Sequence, residues 1–595
     1  MCRIAGLAAK DLQEAELKKI VGAMCSTLKH GGPDDEGIYY NEEARLAFGH
    51  RRLSIIDLSA NGHQPMTDIG NKAWITFNGE IYNYLELKEQ LLVAGARFNS
   101  NTDTEVILAG YLHWGTAVFE KLRGMFAFAL YDTSRSLTYL VRDSNGIKPL
   151  YYFAGNRRLS FASEIKALKN AGLGIEEDRS WQIRFLALGH IPEPYTTLRN
   201  VYSLPKGHVL RWDHSDDTFT IKRYVEEDNT KPVINDYETA KSLIGETLRA
   251  AVKRQLISDA PIGVFLSGGV DSSIISLLAN QERQQLKTIS IYFNEKEYDE
   301  RAFQNIVSGK INGEKLSHLV TQDDFEKLFP EIIDDMDMPT TDGINTWFIS
   351  RYARQDGLKA VLSGVGADEL YGGYPSFGRI KYLKFLRMLP SAMFSAANYF
   401  KTDKYKKVSF LAHSNPLADY LFLRGFFTPE DIAKILDTDL AQIDDTLFND
   451  IMAAAPSEYD ERHAAWFETN FYMQNQLLRD TDVMSMSHGL EVRIPFLDES
   501  FRELAHQVAP HLRFSSKQPK KILIDSFHDL LPASIWNRPK MGFTFPLQQW
   551  MRSYSDISEQ NLYNGKWAQG VVKKFKNNQV HWSKIFALYQ LQIHD

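Results

Sequence analysis

Cysteine is nearly absent from this sequence of 595 residues, which contains only Cys2 and Cys25. Two thiols cannot build a disulfide framework or a cysteine-rich zinc site. The sequence also lacks an apolar run of about eighteen residues, and its first residues do not read as a signal peptide. A basic excess is missing too, because the formal net charge is −7. These absences predict a cytoplasmic protein with no membrane span and no nucleic-acid partner.

What is present is the composition of an ordinary globular protein, with 44% apolar and 24% charged residues. A chain of this length is too long for one hydrophobic core, so we expect two or more domains. Short apolar strands alternate with helical segments in the second half, which predicts an α/β fold with a doubly wound parallel sheet.

The clearest motif is PIGVFLSGGVDSS, residues 261–273. It reads as a short buried strand, a glycine turn and the start of an apolar helix. Such a turn lets backbone N–H groups and the helix dipole face an anion, and Asp271 can hold Mg²⁺ there. No lysine follows the glycines, so the GxxxxGK[ST] phosphate loop is excluded. The pattern resembles the pyrophosphate loop of ATPases that release AMP and pyrophosphate; the alternative is a serine-rich turn without a ligand.

A second glycine-rich turn, SGVGADELYGGY at 363–374, also follows an apolar strand. Ligands of parallel sheets bind at the carboxyl ends of the strands, so both turns are expected to face one crevice. The alternative for this segment is again a plain turn between a strand and a helix.

Cys2 directly follows the initiator methionine. If Met1 is removed, one residue carries a thiol and an α-amino group whose pKa of about 8 suits it as the base. A lone terminal cysteine can equally be a chance residue. Residues 74–83, WITFNGEIYN, are predicted as a strand that breaks in a hairpin-type turn at Asn78–Gly79, where an oxyanion hole could form. Cys25 lies in an apolar helical segment and is expected to be a core thiol.

These segments resemble a known family when taken together. Cys2, RLSIID, FNGEIYN, GMFAFALYD and RDSNGIKPLYY are similar to the class II glutamine amidotransferase domain. Followed by SGGVDSS, they make nearly the whole chain resemble the glutamine-hydrolysing asparagine synthetases. The resemblance implies an α+β first domain, an αββα sandwich of the N-terminal-nucleophile hydrolases, before the pyrophosphate-loop ATP-pyrophosphatase domain with helical insertions.

The resemblance implies roles for residues of the first domain. Cys2 would be the nucleophile that forms a glutamyl thioester and releases ammonia, and Asn78 and Gly79 would stabilise the oxyanion. Arg52 would bind the α-carboxylate of glutamine in a bidentate pair, and Asp103 would bind its α-amino group. The residues implied to line the glutamine pocket with these are Ile55, Ile56 and Glu80.

The second domain would bind ATP and Mg²⁺ and activate a carboxylate as an acyl-adenylate. The implied nucleotide contacts are Leu266, Ser267, Gly268, Gly269, Asp271, Ser272, Ile291, Ser363 and Gly364. Asp271 and Asp368 would hold Mg²⁺. A lysine of SSKQPKKILIDSF would stabilise the developing charge; Lys520 best fits the family position, and Lys521 is the adjacent alternative. Arg479, Asp480, Asp482 and Arg493 fit a buried charge network and a substrate contact about equally.

Two positions depart from the family pattern. RHRGPD is usual where this chain has KHGGPD, so Gly31 replaces an arginine and a supporting charge is missing there. SGEG is usual in the best-known members where this chain has SGVG. Val365 thus replaces a glutamate that the resemblance links to formation or consumption of the β-aspartyl-adenylate. Because the rest of the chain matches the family, we expect L-glutamine, ATP and L-aspartate as substrates. Val365 is the reason for an alternative acceptor, another carboxylate such as a sugar uronate or a biosynthetic intermediate.

A third hypothesis, a sensor that binds nucleotide or glutamine without catalysis, predicts loss of Cys2, Asn78 or SGGVDSS, and none is lost. The expected domain limits are 1–212 for the glutaminase, 213–236 for a linker and 237–595 for the synthetase. Within the last, 375–468 is predicted as a helical insertion, with a surface-seeking amphipathic helix as the alternative. A homodimer is a further open expectation.

Overall fold

A computed structural model describes residues 2–225, 232–391, 393–394, 406–449, 458–515 and 517–594. Strand and helix bounds below refer to these ranges.

The first domain contains two six-stranded antiparallel sheets. One sheet has the order β10-β8-β9-β1-β3-β2 and the other β12-β11-β7-β6-β5-β4. The strands are β1 (Arg3–Ala9), β2 (Asp35–Asn41), β3 (Leu46–Arg52), β4 (Met66–Thr67), β5 (Ala73–Ile81), β6 (Gly124–Asp132), β7 (Leu137–Arg142), β8 (Tyr151–Gly155), β9 (Arg158–Ala162), β10 (Val201–Ser203), β11 (His208–Asp213) and β12 (Thr218–Arg223).

The two sheets pack face to face and helices cover their outer faces. Ile4 and Phe48 of one sheet share a core cluster with Ala127 and Leu140 of the other. Every residue of β1, β3 and β6 is buried, as expected for strands covered on both faces. The helices of this half are α1 (Glu14–Thr27), α2 (Tyr84–Val93), α3 (Asp103–Trp114), α4 (Val118–Lys121), α5 (Ile165–Asn170) and α6 (Trp181–Leu188). The αββα sandwich is confirmed.

The linker prediction of 213–236 begins too early. Strand β12 lies inside that range and pairs with β11 from His208↔Arg223 to Asp213↔Thr218. Its side chains are mostly exposed because β12 lies at the edge of the sheet. Its sequence, TFTIKR, does alternate polar and apolar residues, a strand pattern that the linker prediction overlooked. Residues 226–231 are outside the described ranges.

The second domain is built on a five-stranded parallel sheet of order β15-β14-β13-β16-β17. Its strands are β13 (Ile262–Phe265), β14 (Lys287–Tyr292), β15 (Lys315–Leu319), β16 (Ala360–Leu362) and β17 (Glu491–Arg493). The helices between them are α7 (Tyr237–Gln255, before β13), α8 (Val270–Glu282), α9 (Arg301–Ser308), α10 (Gln322–Asp335), α11 (Ile344–Gln355), α12 (Ala367–Tyr371) and α13 (Ser376–Leu386). The sequence prediction of a parallel α/β domain is confirmed.

The described parts of 375–468 are helical. They comprise α13, Pro416–Arg424, Pro429–Leu436, Leu440–Phe448 and Glu461–Phe467. A π-helical segment, Glu468–Leu477, continues into the helix Leu478–Met486. The later helices are Glu499–Gln507, Pro510–Arg513, Lys521–Ser526, Ala533–Trp536, Leu547–Ser553, Ser555–Ser558, Lys566–Lys576 and Trp582–His594. Within the insertion, residues 395–405 and 450–457 lie outside the described ranges.

Candidate active sites

Strand pairing places Cys2 beside Arg52. Arg3 pairs with Arg51 across β1 and β3, so Cys2, one residue before β1, comes opposite Arg52. The backbone N–H of Cys2 donates to Asn78 Oδ1 at 3.2 Å. Burial raises the pKa of the Cys2 thiol, although Arg52 acts in the opposite direction. A buried thiol of this kind needs a nearby base to become a nucleophile.

Asn78 and Gly79 lie in the middle of β5, so the predicted hairpin turn at this dipeptide is wrong. They pair with Ala127 and Phe126 of β6. Gly79 has φ +153°, and a Cβ there would lie 2.1 Å from the carbonyl oxygen of Met125. The glycine therefore permits a close approach of two strands rather than a reversal of the chain. In the described part of the protein, the buried Asn78 Nδ2 has no hydrogen-bond acceptor, although Asn78 Oδ1 accepts the N–H of Cys2.

The other predicted glutamine residues surround this pair. The Arg52 guanidinium donates to the carbonyl oxygens of Ser59, at 2.8 Å, and Asp57. Asp103 accepts the N–H of Ile81 at 2.9 Å, and burial raises its pKa to about 6. Glu80, which follows Gly79 on β5, is buried, as is Ile55, while Ile56 is half-buried; these three complete the predicted set.

The pyrophosphate loop lies between β13 and α8. Gly268 has φ +84°, a conformation that favours glycine, and the loop then enters the helix at Val270. The hydroxyl oxygens of Ser267 and Ser272 lie 2.8 Å apart across the turn. A Cβ on Gly364 would lie 2.8 Å from the backbone nitrogen of Ser272, so the second glycine turn contacts this loop. The two motifs thus meet at one edge of the sheet, as the sequence predicts.

Two carboxylates and two lysines form a charged cluster at this edge. Lys520 Nζ lies 2.6 Å from Asp271 Oδ2 and also contacts Asp368 Oδ1. Lys540 Nζ lies 2.7 Å from Asp368 Oδ1. Burial raises the pKa of Asp271, whereas at Asp368 the two lysines outweigh burial and lower the pKa. Lys520 is buried and Lys521 is half-exposed, paired instead with Asp525, so the geometry favours Lys520 of the two alternatives.

The sequence motifs missed Lys540 and Arg538. Arg538 donates to the carbonyl oxygen of Gly268 at 3.0 Å, lies 2.7 Å from Glu300, and stacks over the Phe303 ring at 3.7 Å. Both residues stand in NRPKMGFTFPLQQW, which matches the family, but nothing in that segment alone indicates contact with a loop about 270 residues earlier. A basic residue in a glycine- and proline-containing loop is the only local signal.

Leu266 and Ile291, two of the predicted nucleotide contacts, occupy different positions. Ile291 lines an open cleft of about 270 Å³ together with Phe293, Glu300 and residues 541–544. Leu266 is buried under the loop, where its N–H donates to Ile289 O at 2.9 Å. Ile291 is thus at the cleft wall, and Leu266 supports the loop from below.

Comparison with known proteins agrees with the motifs. The domain described as "Glutamine amidotransferase domain" matches residues 1–225, and "Asparagine synthase" matches residues 243–575, more than half of the chain. The chain belongs to the asparagine synthase family. It is accordingly a carbon–nitrogen ligase of the glutamine-hydrolysing type.

Individual relatives match over most of their length. The chain is 30% identical to glutamine-hydrolyzing asparagine synthetase 1 of Bacillus subtilis (strain 168), covering 100% of this chain and 93% of that protein. It is 29% identical to asparagine synthetase 3 of the same organism, covering 91% and 87%. Amidase chry2 of Gibberella zeae is 26% identical, with 92% and 88% covered. Within the described ranges, no helix is long and apolar enough to cross a membrane.

One residue of this asparagine synthase-family chain reaches both sites. Arg493 is fully buried, and its Nη2 lies 3.5 Å from Oε1 of Glu80, one of the predicted glutamine residues. Its carbonyl oxygen accepts the N–H of Ser363, in the second glycine turn, at 2.8 Å. Of its two predicted roles, membership of a buried charge network is confirmed by its pairing with Glu491.

Val365 leaves the second turn without the family's glutamate, but a carboxylate follows one helical turn later. Val365 is half-buried and packs against the core. Glu369 is buried and accepts a hydrogen bond from the Tyr374 hydroxyl at 2.8 Å. Its Oε2 has no partner among the described residues. Burial, with a contribution from Asp368, raises the pKa of Glu369 to about 7.

Proposed function

We propose that this enzyme is a glutamine-dependent asparagine synthetase. Glutamine is hydrolysed at Cys2, and the ammonia passes within the protein to an L-aspartate that ATP has activated as an acyl-adenylate. The products are L-asparagine, glutamate, AMP and pyrophosphate. This joins the activity of the family to the two sites of this chain.

The observation that carries the proposal is the convergence of Asp271, Asp368 and Lys520 at the carboxyl ends of β13 and β16. A carboxylate is a poor electrophile, so it must be activated before ammonia can attack it. Adenylation places several negative charges on the departing pyrophosphate, and a buried lysine at the glycine loop stabilises such charge. The loop N–H groups at the start of α8 bind the same phosphates.

The two carboxylates fit a Mg²⁺ ion. Asp271 Oδ1 is buried without a partner among the described residues, and Asp368 approaches the same ammonium as Asp271. Mg²⁺ is commonly held by one or two carboxylates together with substrate phosphates, so a pair suffices. Bound there, the ion would neutralise charge on the leaving pyrophosphate.

In the first domain, the α-amino group of Cys2 takes the thiol proton once Met1 is removed. The thiolate attacks the side-chain amide of glutamine, and Asn78 Nδ2 donates to the oxyanion. Arg52 and Asp103 hold the α-carboxylate and the α-amino group. Because the thiol is buried and its pKa is raised, the internal base is required rather than optional.

Glu369 is the carboxylate that serves the second site in place of the residue at 365. Its free oxygen accepts a proton from the attacking ammonia, and the Tyr374 hydroxyl fixes its orientation. With a pKa of about 7 it is close to the value at which an acid–base group works best near neutral pH.

The test is pyrophosphate release by the purified protein with ATP, Mg²⁺ and ammonium, with and without L-aspartate, and with products identified by mass spectrometry. The proposal expects aspartate to trigger pyrophosphate release and asparagine to appear. Glutamine hydrolysis without any response to aspartate would contradict it and point to another carboxylate, which the same assay can screen. Glu369→Gln should lower the ammonium-driven rate while leaving glutamine hydrolysis intact.

A further inference from the structure

The residue after the nucleophile is an arginine that is fully buried and paired across the two domains. Arg3 Nη1 lies 2.6 Å from Asp482 Oδ2, and Arg3 Nε lies 2.7 Å from Glu164 Oε1. Asp482 belongs to the helix 478–486 of the second domain. Its other oxygen lies 2.9 Å from Lys148 Nζ of the first domain. Both oxygens of this carboxylate are therefore used to hold the first domain.

The same arginine explains the glycine that interrupts KHGGPD. A Cβ on Gly31 would lie 2.7 Å from Arg3 Cγ and 2.9 Å from Arg3 Nε. Gly31 is not among the glycines with positive φ, so its backbone does not require glycine. What requires it is the Arg3 side chain, which occupies the space that a side chain at position 31 would fill.

We infer that Arg3 supplies the guanidinium that the family pattern has at position 31. In this chain the guanidinium stands on the strand β1, directly after Cys2, and not in the loop at 29–34. From there it holds the nucleophile's strand against the second domain through Asp482. Arg3 is thus a positioning residue for transfer of ammonia between the sites, an inference that rests on the proposed function.

The charged groups of this contact are buried, so the loss of one partner should be costly. Arg3 and Glu164 are completely buried, and Lys148 and Asp482 nearly so. His30, next to Gly31, lies 2.8 Å from Glu164 Oε1. The loop at 29–34 therefore contacts the same carboxylate as Arg3. Removing one partner of a buried pair leaves an uncompensated charge, which forces the neighbouring groups to move. Arg3, which holds these groups together, directly follows Cys2 in the chain.

The test is an exchange of the two residues. Arg3→Gly, Gly31→Arg and the double variant are compared with the parent, in the full-length protein with ATP, Mg²⁺, glutamine and aspartate. The quantity measured is glutamate formed per AMP formed. We expect Arg3→Gly to raise this ratio by roughly fivefold or more, a typical coupling between sites. Gly31→Arg alone should also raise this ratio, because the arginine introduced at position 31 would overlap the Arg3 side chain.

The double variant should return the ratio most of the way to the parent value, since the guanidinium then has the space that Arg3 vacates. Arg158→Gly is the matched control, because Arg158 stands in the same sheet but pairs with Asp11 at the surface. An unchanged ratio in folded Arg3→Gly would overturn the inference, as would a double variant no better than the sum of the single changes.

Two further measurements distinguish a failure of the inference about Arg3 from a failure of the proposed function. Glutamate release without ATP reports the first domain alone, and circular dichroism reports folding. If the parent itself forms no AMP with aspartate, the proposed acceptor is wrong, and the exchange is repeated with the carboxylate that the pyrophosphate assay identifies. If Arg3→Gly does not fold, Arg3→Lys, which keeps the charge but not the two-sided contact, must show an intermediate ratio.

Discussion

The proposed glutamine site and the proposed nucleotide site are built from different kinds of structure. In the first, Asn78, Gly79 and Glu80 follow one another on β5, and Asn78 accepts the N–H of Cys2, the residue before β1. In the second, Asp271 and Asp368 lie in the first turns of α8 and α12, and lysines from a third part of the chain hold them together. Paired strands fix the first arrangement, whereas charges fix the second.

This difference teaches which parts can be changed independently. A site on paired strands keeps its shape when one reacting atom is removed, because the ladder hydrogen bonds remain. A site held by opposite charges changes its shape when one charge is removed, because the remaining like charges repel. Each of the following predictions tests one side of that contrast.

Cys2→Ala should have the largest effect. Glutamine-driven synthesis should fall by at least about 10³-fold, as for loss of an enzyme nucleophile, while ammonium-driven synthesis is kept. The measurement is asparagine formation with either nitrogen source. Cys25→Ala is the matched control: Cys25 is buried in α1, burial raises its pKa to about 12, and its change should leave both rates nearly unaltered. Retained glutamine use in Cys2→Ala would remove the assigned nucleophile.

Lys520→Met should come next. Pyrophosphate release should fall by about 10²-fold or more with either nitrogen source, because a preorganised positive charge is lost and two carboxylates are left facing each other. Lys521→Met, one residue away and paired at the surface with Asp525, should change the rate little. Glutamate release without ATP should survive in both variants. Equal losses in both variants would mean that the cluster is not the site of adenylation.

A smaller effect is expected on glutamine binding when the pH is lowered. Burial raises the pKa of Asp103 to about 6, so its carboxylate is charged above this pH and neutral below it. A neutral Asp103 cannot pair with the α-amino group of glutamine. In the Cys2→Ala variant, which binds without reacting, the glutamine Kd should rise by up to about tenfold per unit as pH falls below 6.

Isothermal titration calorimetry between pH 5 and 8 measures this change. Cys2→Ala combined with Asp103→Asn should bind weakly at every pH, with a flat profile over the same range. A pH dependence that persists in the combined variant would assign the titration to another group.

Prediction from sequence succeeded where the chemistry lies in one continuous segment. SGGVDSS and SGVGADELYGGY were assigned to strand ends that the structure brings together. The assignment of FNGE to a glutamine site stays a prediction. Prediction from sequence failed on the backbone at Asn78–Gly79, because this dipeptide is typical of turns while here the glycine admits Met125 O. Local sequence cannot distinguish a turn from a close approach of two strands.

Contacts between distant segments were the part that sequence could not supply. Lys540 and Arg538 reach the loop only through the tertiary fold. The replacement of a side chain at position 31 by Arg3 is likewise visible only when both residues are placed in space. Comparison with the family pattern shows that position 31 lacks the usual arginine. It does not show that the Arg3 side chain occupies the space beside Gly31.

The central claim is that nitrogen released at Cys2 reaches the carboxylate activated at Asp271 and Asp368 without leaving the protein. The direct measurement uses glutamine labelled with ¹⁵N in its side-chain amide, with ATP, Mg²⁺, aspartate and an excess of unlabelled ammonium. Mass spectrometry then gives the label in the asparagine formed. The account predicts asparagine that keeps the glutamine label. Asparagine diluted to the isotopic composition of the bulk ammonium would contradict it.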